Sequence, residues 1–167
     1  MTTTQPQPQT QTIRVLSIKQ PYASWIVHSS KFCENRTWST LHRGELYIHA
    51  SSWDSAAGPG NHERYDYPVH VGRIIGCVNL LGCWPVDTVI DAQFANTEDF
   101  ELDEALRKLS VEPRNFYGGW DTVCGPVCWL MSDRQPLVEP IEVKGKLKLW
   151  KYDVDPEQLQ FVEPAMA

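Results

Sequence analysis

Three charged side chains set close together, Lys31, Glu34 and Arg36, are the most concentrated chemistry in this chain. Glu34 and Arg36 are two residues apart, so on an extended strand they point to one side and can pair. Lys31 lies at the turn leading into that strand and must curl back to join them. A paired carboxylate and guanidinium form a rigid platform of donors and acceptors. The guanidinium can hold a phosphate or stack on a base, while the carboxylate accepts from an exocyclic amine. The competing reading is an ion pair that only orients a hairpin. Trp38 shares the parity of Glu34 and Arg36, and a base stacked on it would gain about 1–3 kcal/mol; alternatively its ring caps the core. Asn35 flanks the platform from the opposite face of the strand.

Other polar groups surround this segment. His49 and Ser51 share one face at the end of a strand, where a histidine beside a hydroxyl suggests nucleophilic chemistry, yet no aspartate is placed to orient the ring. Lys19 and Gln20 leave the first strand at a helix N-terminus, a ready place for an anion, and Tyr22 follows on that helix. Near the C-terminus, Lys144, Lys146, Lys148 and Trp150 alternate with Leu147 and Leu149. On a strand this gives a cationic, aromatic row above a core-facing pair. There is no Walker loop, no G-x-G-x-x-G, no H-E-x-x-H and no tight Cys/His cluster, so neither a metal nor a cofactor is expected.

The elements that must position these groups are mostly short strands. Residues 13–18 alternate as a first strand, and Gln20-Pro21 opens a helix whose Tyr22, Trp25, Ile26 and Ser29 share one face. Residues 33–38 and 45–50 read as strands joined by a turn at 41–44. Residues 52–70 have no period and are rich in Gly, Pro, Asn and Asp, which predicts a long loop, a lid or a mere insertion. Residues 71–81 are an apolar strand bending at Gly72 and Gly76, and 97–109 an acidic helix, apolar at Phe100, Leu102, Ala105, Leu106 and Leu109. Residues 120–132 and 144–154 supply closing strands. Many short strands, few helices and no βαβ rhythm predict an α+β fold, a small β-barrel with a few flanking helices.

The 167 residues suffice for one domain with a core of its own. A net charge of −6 argues against a binder of polyanions over its whole surface. The distribution is uneven: Arg14, Lys19, Lys31, Arg36 and Arg43 precede residue 50, whereas Glu98, Asp99, Glu101, Asp103 and Glu104 crowd one helix. Five cysteines match no disulfide framework or zinc knuckle, and residues 1–12 have neither cation nor apolar run, so a cytoplasmic location is expected. No stretch reaches the roughly 18 apolar residues of a membrane span.

The motifs also resemble a known family. LSIKQP at 16–21, K-x-x-E-N-R-x-W at 31–38 and RGELYIHAS at 43–51 are similar to the opening of ASCH (activating-signal-cointegrator homology) domains, and Lys31, Glu34 and Arg36 fall on the charged positions of their G-x-K-x-x-E-x-R motif. Ser29 stands where that motif has glycine. GPVCWLM at 125–131 and EPIEVKGKLKLW at 139–150 look like the closing strands of small ASCH proteins.

The resemblance implies a PUA-like β-barrel over residues 13–154, between a disordered tail at 1–12 and a C-terminal tail at 155–167. Its cleft, between barrel and first helix, would recognise RNA, another single-stranded nucleic acid, or a free or modified nucleotide; protein partners stay open. Lys19, Gln20, Tyr22, Lys31, Glu34, Asn35, Arg36, Trp38, His49, Ser51, Lys144, Lys146 and Lys148 are the expected nucleic-acid-binding residues. The alternative is a hydrolase: a ribonuclease, or an amidohydrolase of acylated nucleosides using a lysine and, three residues later, a threonine. There Lys31 and Glu34 are the catalytic candidates, and Glu34 departs from the threonine.

Overall fold

The structure, a computed structural model, describes residues 6–58, 65–110 and 119–164. Its elements are β1 (Gln11–Gln20), α1 (Tyr22–His28), β2 (Cys33–Arg36), β3 (Gly44–Trp53), β4 (Arg73–Pro85), α2 (Val86–Phe94), α3 (Phe100–Ser110), β5 (Val127–Glu142) and β6 (Leu149–Val154). The strands form one mixed sheet in the order β2-β5-β4-β3-β1-β6. β1 and β3 run parallel, and the other neighbours are antiparallel.

The period-two alternation of β1 explains why both faces of this sheet are covered. Ile13 and Val15 go to one side, with Tyr47, Leu137, Ile141 and Trp150. Leu16 and Ile18 go to the other, beneath Ala23, Ile26 and Val27 of α1 and beside Trp129 and Met131. Burying one such aliphatic side chain contributes about 1.5–3 kcal/mol, which lets a seven-residue helix, too short to hold alone, stay folded. Helix and sheet come close at Gly76, where a Cβ would lie 2.5 Å from Val27 Cγ1 and 2.8 Å from the Gln135 carbonyl oxygen. A third cluster joins α2 and α3 to β2, β4 and β5 through Val89, Leu102, Ala105 and Leu109 against Cys33, Trp84 and Cys128.

The α+β class holds, but the sheet does not close into a barrel. Among the described residues no ladder joins edge strands β2 and β6. β2 has four residues, and β6 accompanies β1 only as far as the Leu16–Leu149 rung, so residues 17–20 extend past it. Across this opening Arg36 Nη2 donates to the Ser17 carbonyl oxygen at 2.7 Å. A side-chain bond stands where a closed barrel would have a backbone ladder.

Boundaries also differ from the sequence reading. β1 starts at Gln11, inside the expected tail, and residues 1–5 lie outside the described residues. β3 runs on to Trp53, and residues 59–64 of the expected loop are likewise outside. α3 begins at Phe100, which is exposed rather than core, and α2 was not anticipated. β6 begins at Leu149, so Lys144, Lys146 and Lys148 precede the strand and Leu147 is exposed, not core-facing. The left-handed backbone of Lys148, φ 59°, breaks the period-two alternation there. Residues after 154 pack back, with Phe161 bridging to Leu137 of β5. All five cysteines are free; Cys124 is exposed, Cys83 half-buried and the others buried.

Candidate functional site

The opening between β2 and the end of β1 is the mouth of a cleft of about 900 Å³. Four stretches distant in sequence wall most of it: residues 17–36, the end of β3 at His49 to Ser52, the loop at Thr122 and Cys124, and the loop 144–148, with Gly72 between them in sequence. Five lysines and one arginine line it, Lys19, Lys31, Arg36, Lys144, Lys146 and Lys148, against one carboxylate, Glu34. Of the basic residues before position 50, Arg14 and Arg43 are elsewhere, Arg14 exposed on β1 and Arg43 paired with Glu101 of α3 at 2.6 Å.

The β2 platform forms as strand parity requires. Arg36 Nε is 3.1 Å from Glu34 Oε1, with the two side chains 24% and 12% exposed. This contact is one of distance and charge, since the Nε–H has no aligned acceptor. The guanidinium is held instead through Nη2 on the Ser17 carbonyl. Lys31 does curl back: it is buried, and its ammonium donates to the Cys33 carbonyl oxygen. Burial pushes the Glu34 carboxyl above the usual range, and the nearby charges of Lys31 and Arg36 oppose the shift without cancelling it. Ser29, in the motif's glycine position, has φ −124° and ψ −155°, extended backbone that needs no glycine.

Next to this platform lies a network that fixes a tautomer. His49 faces Ser17 across the parallel ladder. Its Nε2 is 2.8 Å from the Val143 carbonyl oxygen, which has no proton to give, so Nε2 must carry one. Burial holds the His49 pKa below its usual value, partly offset by that carbonyl, so the ring is neutral and Nδ1 accepts. The Ser17 hydroxyl therefore donates to Nδ1 at 3.3 Å, while its oxygen accepts from the Trp150 indole at 3.2 Å. Gly145 closes over the pair: a Cβ there would lie 2.6 Å from His49 Cε1 and 2.9 Å from Ser17 Oγ. The histidine thus ties down the loop that carries Lys144, Lys146 and Lys148. Lys146 Nζ hangs 5.9 Å from the Trp150 ring centroid.

Three expected residues have other work. Gln20 is fully buried; its Oε1 takes the Ser24 amide of α1, and its Nε2 donates to the Ser24 hydroxyl and the His70 carbonyl. It caps the helix instead of lining the cleft. Asn35 borders the cleft, but Oδ1 accepts from the amides of Cys124 and Gly125 and Nδ2 donates to the Thr122 carbonyl, so its amide clamps the wall loop. Trp38 is absent from the lining and packs edge-on against Trp129, centroids 4.7 Å apart, so it caps the core. The aromatic wall is instead Tyr22 and Trp25, in a T-shaped pair at 5.5 Å. Sequence reasoning passed over Trp25 as a site residue, although its position three residues after Tyr22 on one helical face was the available signal. Gly145 gave none.

Among the described residues no group of His, Cys, Asp and Glu is placed to hold a metal ion, and no helix is long and apolar enough to cross a membrane. A family model described as the ASCH domain matches residues 16–121. The human and mouse proteins named Activating signal cointegrator 1 are 28% and 27% identical over 152 residues, 83% of this chain. The chain spans 22% of their length. An ASCH protein from Zymomonas mobilis overlays with a TM-score of 0.44 at 17% identity, covering 87% of this chain and 89% of that one. A single-residue variant of it gives 0.41 at 19%, covering 77% and 74%.

Proposed function

The chain belongs to the ASCH domain family, and from that premise we propose that it is a PUA-like nucleic-acid-binding domain whose cleft takes up RNA or another single strand. One observation carries this reading: six cations and a single carboxylate converge on one cleft in a chain of net charge −6. Folding thus brings six of the fifteen Lys and Arg to one opening with only one of the twenty-one carboxylates, and a phosphate backbone has cause to go there. The cleft is roomy enough for a nucleotide. Tyr22 and Trp25 supply stacking surface, the lysine loop and Lys19 supply phosphate contacts, and the Glu34–Arg36 pair on the same lining offers hydrogen bonds to a base.

Single-strand binding of this kind releases counterions, so log affinity should fall linearly with log salt by roughly 0.7 per phosphate neutralised. Fluorescence anisotropy with one labelled RNA decamer and its DNA counterpart, titrated at several salt concentrations, tests it. A slope steeper than about −2 supports the reading. Absence of binding to either strand at low salt, or a flat salt dependence, sinks it.

A further inference from the structure

The Glu34–Arg36 pair has an arrangement more specific than its charge, and any base selectivity it confers rests on the cleft being a nucleic-acid site. Glu34 is 9% exposed at the edge of a cleft, and a buried carboxylate is costly unless its lone pairs meet N–H donors. Lys31 acts on it only through charge: its ammonium donates to the Cys33 carbonyl, and among the described residues the one ion pair Glu34 makes is with Arg36. Arg36 approaches one oxygen, Oε1, and its own Nη2 is committed to Ser17. The pair therefore brings unfilled acceptor capacity on a carboxylate next to the remaining donors of a guanidinium.

Side by side, guanidinium and carboxylate offer the order donor, acceptor, acceptor. That is the pairing edge of cytosine, and its complement is the acceptor, donor, donor edge of guanine: O6, N1–H and the N2 amine. Uracil sets a carbonyl oxygen against a carboxylate oxygen, cytosine repeats the protein's own order, and adenine has one amine beside a bare ring nitrogen. Hypoxanthine keeps O6 and N1–H but lacks the amine. We infer that the Glu34–Arg36 pair selects a guanine base from a single strand, with Arg36 on O6, Glu34 on N1–H and the N2 amine, and the ring against Tyr22 or Trp25. A guanine in a duplex has this edge occupied, so the base must be unpaired.

The test uses five labelled U-rich RNA decamers identical except for one central base: guanine, adenine, cytosine, uracil or hypoxanthine. The guanine strand should bind about tenfold or more tighter than the uracil strand, with hypoxanthine between them. In Glu34→Gln the carboxamide opposes an N–H2 to the guanine donors, so the five affinities should converge to within about twofold while the salt slope stays that of the wild type. Guanine against hypoxanthine on the unaltered protein keeps the question answerable should the variant fold poorly. Five equal affinities in the wild type, or a guanine preference that survives Glu34→Gln, would overturn base selection and leave strand binding intact. If no decamer binds, both readings fall together.

Discussion

Two ion pairs in this molecule use the same residue types and differ in everything but charge. Arg43 and Glu101 meet at 2.6 Å on the α3 surface with side chains 36% and 56% exposed, whereas Arg36 and Glu34 meet at 3.1 Å in the cleft, 24% and 12% exposed. The shorter contact is the less consequential one. At the surface, water screens both charges whether or not they touch, and such pairs contribute about 0–1 kcal/mol. In the cleft, neither charge can be left alone cheaply. Distance alone therefore does not rank ion pairs; the water excluded from them does.

The sharpest way to break that comparison is to truncate one partner of each pair. Arg36→Ala should weaken strand binding by about 2–5 kcal/mol, the lower end applying because the guanidinium keeps some solvent. Glu101→Ala should change stability by no more than about 0.5 kcal/mol and leave binding untouched. Anisotropy and thermal melts on both variants decide it, and equal effects from the two would erase the distinction. A second contrast sets two tryptophans against each other. Trp25→Ala should cost about 1–3 kcal/mol of binding at every salt concentration, as loss of a stacking surface does. Trp38→Ala should lower the melting temperature and leave the affinity of the folded fraction alone.

Exchanging Lys144, Lys146 and Lys148 together for Gln should flatten the salt slope by about two units if each contacts one phosphate. An unchanged slope would mean that the loop faces away from the strand. The smallest effect concerns pH. Because burial raises the Glu34 pKa on folding, the stability this group contributes is fully present below its unfolded pKa and is lost as pH rises through the folded one. Glu34→Gln removes that loss. The melting temperature of the variant minus that of the wild type should therefore grow as pH rises above about 4, the unfolded carboxyl range. A difference independent of pH would show that the carboxylate is not desolvated as its burial implies.

These contrasts also mark what the sequence could reveal. The pairing of Glu34 with Arg36 was legible because it needs only strand parity, and Asn35 fell on the opposite face for the same reason. Parity holds only as far as the strand runs: the expected strand 33–38 ends at Arg36, and Trp38, two residues beyond, packs on Trp129, whose indole donates to its carbonyl 91 positions away. The three lysines were assigned to the cleft on a wrong premise, a strand alternation that the left-handed Lys148 interrupts, and they line it because the loop 144–148 threads past His49. Failure of the sheet to close was beyond local reading, since it depends on how far β6 accompanies β1, and no residue type encodes that length. Gln20 looked like an anion ligand beside a helix start, and three-dimensional packing made it the cap.

Gly145 imposes a different kind of constraint. With His49 Cε1 2.6 Å and Ser17 Oγ 2.9 Å from where a Cβ would stand, the position has room for a hydrogen atom and nothing larger. It contributes no side chain to the cleft, so a survey of ligand-touching side chains would pass it by. In a saturation library sorted for binding, the column for position 145 should nevertheless collapse to a single letter, while its neighbours Lys144 and Lys146 tolerate one another's replacements. Tolerance to mutation would then trace the latch behind the binding surface more sharply than the surface itself.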